Sequence, residues 1–84
     1  MKFRKKPVVI EAVQYLYPLS QGPELAKWCG GLLGDDRKIY INTLEGVMAV
    51  DVNDWVIQGV QGEFYPCKPD IFDATYEPAE TADA

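Results

Sequence analysis

Three turn-forming clusters divide the stretch from Ile39 to Cys67: Leu44-Glu45-Gly46, Asp51-Val52-Asn53-Asp54 and Gly59-Val60-Gln61-Gly62. Between them lie only short β-prone runs: Ile39 to Ile41, Val47-Met48-Ala49-Val50, Trp55 to Gln58, and Glu63 to Cys67. Short apolar runs bounded by Gly, Asn and Asp read as strands joined by tight turns. Asn53 is one of the few residue types besides Gly that tolerates positive φ. A type II turn needs that conformation at its third position. Asn53 and Asp54 are therefore expected to shape the corner before Trp55, and Gly59 and Gly62 the hairpin after it. Met48 and Val50 share a face, expected to point inward, as do Trp55 and Ile57.

Upstream, residues 7–16 read as a strand with apolar residues on both faces, the pattern of a central strand. Pro18 to Gly22 is a connector. Gly22-Pro23-Glu24 has the form of a helix start, since Pro at the first helical position loses no hydrogen bond and Glu suits the positive end of the dipole. Leu25, Trp28 and Cys29 follow at helical spacing, and Gly30-Gly31 stops the helix. Leu32 to Arg37 reads as a loop. Downstream, Pro69-Asp70 opens a short helical turn anchored by Ile71 and Phe72, and Thr75-Tyr76-Glu77 is expected to add a last strand. The fold class is thus α+β. A small curved antiparallel sheet, open or barrel-like, carries one packed helix and a short C-terminal helical turn. Residues 1–78 form a single domain, and 79–84 a frayed acidic tail. An 84-residue chain is too short for a second domain.

Composition removes several chemistries. There is no histidine, so neither a Ser–His nor a Cys–His nucleophile pair exists within the chain. Two cysteines cannot complete a four-ligand Cys/His zinc site. No cofactor is expected. No apolar run reaches the ~20 residues of a membrane span, and no secretory signal is apparent. A cytoplasmic location with reduced thiols is expected. Lys2, Arg4, Lys5 and Lys6 supply half of the eight basic residues. The remainder, residues 7–84, carries four basic and thirteen acidic residues, a charge of 4 − 13 = −9. Such a body repels phosphate, so nucleic acid is not an expected partner.

Three constellations bear on chemistry. Glu63, Asp70 and Asp73, with Asp54 across the hairpin, offer carboxylates that could hold Mg²⁺ or do acid–base work. Equally, they could cap turns and helix starts. Cys67-Lys68 sets a thiol beside a cation, which can lower a thiol pKa, although a buried structural Cys is the plainer reading. Ten aromatics in the chain divide into expected core residues, Trp28 and Trp55, and candidates for exposure, Tyr17, Tyr40 and Tyr65.

From Ile41 to Glu77 the chain resembles a family of small bacteriophage and prophage proteins of unknown function. The resemblance rests on Thr43-Leu44-Glu45-Gly46, on Asp54-Trp55-Val56-Ile57, on the run from Gly59-Val60-Gln61-Gly62-Glu63 through Tyr65-Pro66-Cys67-Lys68-Pro69-Asp70-Ile71-Phe72, and on Thr75-Tyr76-Glu77. The opening Lys5-Lys6-Pro7-Val8-Val9-Ile10-Glu11-Ala12 is similar too. Val52-Asn53 stands where the family has Pro-Gly, which marks the motif as turn chemistry. The resemblance implies a phage-encoded accessory protein outside the virion and implies no reaction. The leading expectation is therefore a non-enzymatic protein that binds a host or phage protein, self-association included. The interface is expected at Glu63, Tyr65, Lys68 and Tyr40; the plainer alternative is that Tyr65 packs under the C-terminal helical turn and Glu63 only keeps the hairpin soluble. The rivals are a carboxylate-based nucleotide or small-molecule binder or enzyme, and a minor virion component.

Overall fold

The computed structural model describes residues 1–2, 9–16 and 21–77. The expectations for Arg4 to Val8, Tyr17, the connector from Pro18 and the tail from Pro78 fall wholly or mostly outside them. In chain order the elements are β1 (Glu11–Gln14), α1 (Gly22–Cys29), β2 (Leu32–Leu33), β3 (Ile39–Thr43), β4 (Gly46–Val50), β5 (Trp55–Gln58), β6 (Phe64–Cys67) and α2 (Pro69–Thr75). The strands form two antiparallel three-stranded sheets, β1-β5-β6 and β2-β3-β4. The α+β class holds, with two small sheets in place of one and no closed barrel among the described residues.

The division falls at the turn 51–54. The Asp54 amide donates to the Asp51 carbonyl at 3.0 Å. Asn53 has φ 82°, close to the value of about +80° that a type II turn places at its third residue. This turn is a corner between sheets, because β4 ends in one and β5 begins the other. Tyr15 pins it from both sides: its amide donates to the Asp54 carbonyl at 2.9 Å, and the Asn53 amide donates to the Tyr15 carbonyl at 2.5 Å.

The central strand of its sheet is β5, and β1 lies at the edge, contrary to expectation. Val56 and Ile57 are both fully buried, one on each face of β5, whereas Val9 is 75% exposed. The apolar residues of residues 7–16 thus do not all seek cover. Helix α1 forms as its signals direct. Gly30 ends it at φ 68°, and the Gly31 amide reaches back to the Ala26 carbonyl at 2.8 Å. Its buried face, Leu25, Ala26 and Cys29, joins Tyr15, Ile39, Ile41, Val50 and Val56 in the main core. Trp28 closes the side of this core, edge-on to Phe64 with ring centroids 5.0 Å apart.

A second apolar layer occupies the opposite face of β1-β5-β6, where Trp55, Ile57 and Tyr65 share one side by register. Trp55 is therefore outside the main core. Helix α2 covers it: Phe72 stacks on Trp55 at 3.9 Å and 5°, and Tyr76 packs on Phe72. Ile71 is 55% exposed, so Phe72 anchors α2 without it. The expected strand at Thr75-Tyr76-Glu77 is absent. Thr75 is the last residue of α2, and Tyr76 is extended but drawn onto Phe72. Leu32-Leu33, read as loop, pairs with Tyr40 and Ile39. Val50 points into the core as expected, whereas Met48, nearer the hairpin tip, is only partly covered. No described helix is long and apolar enough to cross a membrane.

Candidate functional site

Among the described residues, Asp54, Glu63, Tyr65, Lys68, Asp70 and Tyr40 each have a local partner. Lys68, the residue before α2, reaches back to the corner turn. Its ammonium lies 3.1 Å from Oδ2 of Asp54 and 3.3 Å from Oδ2 of Asp51. Lys38 approaches the other oxygen of Asp51 at 3.5 Å. Asp54 is almost wholly buried, and its Oδ2 also accepts the Asp51 amide at 3.0 Å. A buried carboxylate needs such donors to offset its desolvation. The hydrogen bond from Lys68, with the nearby ammonium charges, holds the Asp51 carboxyl below its ordinary value. Asp54 and Asp51 together raise Lys68.

Glu63 folds back over its own hairpin, where Oε1 accepts the Gln61 amide at 3.0 Å. A Cβ at Gly59 would meet this carboxylate, the far end of a flexible side chain. Gly62 serves the same hairpin through φ 84°. The Tyr65 hydroxyl is hydrogen-bonded to Tyr76, and that bond, with burial, pushes its pKa up to about 12. Tyr40 donates to the Asp36 carboxylate, lowering the acid and raising the phenol.

The carboxylates do not converge. Asp54 belongs to the lysine cluster, Glu63 to its hairpin, and Asp70 accepts the Ile71 amide at 2.9 Å. Among the described residues no group of three or more Cys, Asp or Glu is placed to hold a metal ion. The Cys67 thiol is not activated by its neighbour, because the Lys68 ammonium is committed to Asp54 and Asp51. Burial first, then the charges of Asp54 and Asp70, push the thiol up. Both cysteines are free thiols.

What the structure brings together instead is the outer face of β2-β3-β4. By register, Leu32, Tyr40 and Ala49 lie side by side, with Val47 next along β4. Leu32 is 76% and Val47 67% exposed, while Ile39, Ile41 and Val50 on the other face fill the core. Of these surface residues only Tyr40 was singled out from the sequence. Leu32 was legible only through its pairing with Tyr40, which a two-residue strand does not announce. No family model matches this chain, and no curated protein or solved structure matches it either.

Proposed function

We propose that this chain is a small binding protein whose partner is another protein, a host or phage protein as the resemblance implies, acting in the host cytoplasm without catalysing a reaction. The observation that carries this reading is the apolar strip Leu32–Tyr40–Ala49–Val47 on the outer face of one sheet, with Leu32 and Val47 exposed and Tyr40 and Ala49 half-buried between them. Contiguous exposed apolar surface marks interaction sites more often than scattered single residues do. Tyrosine supplies contact area and a hydroxyl at low entropic cost. The body's negative charge favours a partner with a positive rim.

The contact region moves accordingly from the hairpin at Gly59–Lys68 to the sheet face containing Tyr40. Glu63, Tyr65 and Lys68 are engaged in holding the fold. The experiment is photocrosslinking in bacterial cells from position 32, compared with position 24 on the exposed side of α1. One dominant protein adduct at position 32, lost on Tyr40→Ala with unchanged thermal melting, is expected. Equal adduct patterns from both positions would remove the reading.

A further inference from the structure

The two helices are held very differently. Helix α1 places Leu25, Ala26 and Cys29 in the main core and ends on a left-handed glycine. Helix α2 has no buried residue, and its last turn has no basic side chain to offset the negative end of the dipole. Among the described residues, no backbone hydrogen bond and no ion pair joins residues 69–77 to either sheet. The Phe72 amide donates to the Lys68 carbonyl and the Tyr76 amide to the Phe72 carbonyl, both at 2.8 Å, so these bonds stay local. What fastens α2 to the sheet is the stack of Phe72 on Trp55 and, at its far end, the hydrogen bond between Tyr65 and Tyr76. Just before the helix the chain is fixed: Cys67 pairs with Trp55 in the ladder, and the Lys68 ammonium is bound to Asp54 and Asp51.

We infer that α2 is a lid: residues 69–76 leave the sheet as one unit about the junction of Lys68 and Pro69, while both sheets and α1 stay folded. A helix of seven residues has no stability of its own in water, so undocking and unwinding are one event. The residues that receive it, Trp55 and Tyr65, lie outside the main core. Losing the stack and the Tyr65–Tyr76 bond therefore removes nothing from the packing of α1 on Ile39, Ile41, Val50 and Val56. Opening bares Trp55, with Ile57 and Tyr65 beside it on the same face by register. Elements with few buried apolar contacts are the ones that open below the global unfolding threshold. This lid stands whether or not the outer strip of the other sheet receives a partner.

Amide hydrogen exchange of the intact chain, followed residue by residue by nuclear magnetic resonance, tests it. The Phe72 and Tyr76 amides are expected to share one protection factor, at least tenfold below that of the Tyr15 amide, which donates to the Asp54 carbonyl at the corner. Ile41→Val, which removes one methylene from the main core, should lower protection at Tyr15 by about threefold and leave Phe72 and Tyr76 unchanged. Phe72→Ala should strip protection from the Tyr76 amide while the Tyr15 amide stays protected. Equal protection of the Tyr76 and Tyr15 amides, a parallel fall of both in Ile41→Val, or loss of the whole fold in Phe72→Ala would each overturn it.

Discussion

The Lys68 ammonium lies 3.1 Å from a carboxylate, that of Asp54, which is 3% exposed. The pair ties the residue entering α2 to the corner between the two sheets. The partners are unequal, however. Lys68 is more than half exposed, so water can replace what it loses. Asp54 cannot be replaced that way, since its Oδ2 also terminates the Asp51 amide. Asp54→Ala is expected to destabilise the fold by about 2 kcal/mol, the scale of charged hydrogen bonds lost in a buried site. Lys68→Ala should lower the melting temperature by less. Urea unfolding of both variants checks the order; a larger loss for Lys68→Ala would contradict it.

The same cluster sets a pH dependence. Asp51 is held below its ordinary value, first by the hydrogen bond from Lys68. Its contribution is full above the ordinary carboxylate value of about 3.9 and is lost as the pH falls through the lowered one. Lys68 is raised, so its contribution is full below about 10.4 and is lost as the pH rises through the raised value. Asp51→Asn is therefore expected to flatten the acid limb of the stability curve below about pH 4. Melting temperatures from pH 2 to 7 test this, and an unchanged acid limb would exclude the role.

Asn53 at φ 82° makes the corner turn sensitive to side-chain shape. Asn53→Gly should leave stability within about 0.5 kcal/mol of wild type or raise it slightly, because Gly adopts this conformation freely. Asn53→Val should cost about 1–3 kcal/mol, since a β-branched residue is a steric outlier there. Chemical denaturation of the pair decides it, and equal stabilities would count against turn strain.

This corner also shows what the sequence made legible. Asn and Gly carry backbone information locally, so Asn53, Gly30 and the Gly59–Gly62 hairpin were readable, and α1 with them. Which strand sits centrally is a tertiary matter. The apolar run before Tyr15 and that of Trp55–Gln58 look alike, and only pairing tells β1 from β5. Leu32-Leu33 was missed because two residues hold no periodicity. The partners of Glu63 and Lys68 were hidden because they lie in turns that could as well have been solvated, whereas packing of Tyr65 beneath the C-terminal helical turn was one of two readings the sequence left open. The outer strip was hidden for a related reason. Tyr40 alternates with Ile39 and Ile41, but nothing local says which side stays uncovered.

Two adjacent glycines separate backbone freedom from packing. Gly30 has φ 68°, and a Cβ there would meet nothing within 4 Å. Gly31 has no such φ, yet a Cβ on it would lie 2.7 Å from both the Tyr40 carbonyl oxygen and Ile41 Cγ2. Gly30→Ala should cost about 1 kcal/mol, with Gly30→Asn near wild type, because Asn also serves in left-handed caps. Gly31→Ala should cost about 2 kcal/mol or more through forced separation of α1 from β3, and Gly31→Asn should be no better. Stability measurements on the four variants test this; rescue by Asn at 31 would show that conformation, not contact, rules there.

Tyr65 offers a reading of how α2 is fastened. Its hydroxyl bonds to Tyr76, just past the helix end, and its pKa rises to about 12. Since the folded value lies above the unfolded one of about 10, the folded state holds this proton more tightly. The contribution is full below about pH 10 and is lost as the pH climbs through the raised value. Tyr65→Phe removes both the bond and the ionisation. At pH 8 the variant should be less stable than wild type by about 1 kcal/mol, the usual net worth of a hydrogen bond. At about pH 11.5 the gap should shrink towards zero, because in wild type alone the phenol at 65 has ionised in the unfolded state while the folded state still holds its proton. Urea midpoints of both proteins at the two pH values measure the gap, and absorbance at 295 nm follows phenolate formation directly. In the folded protein a phenol ionising near pH 12 should vanish with Tyr65→Phe, and Tyr76→Phe should bring it to lower pH. A constant stability gap across this range, or an absorbance titration near pH 12 unchanged by Tyr65→Phe, would break the link between Tyr65, Tyr76 and the docking of α2.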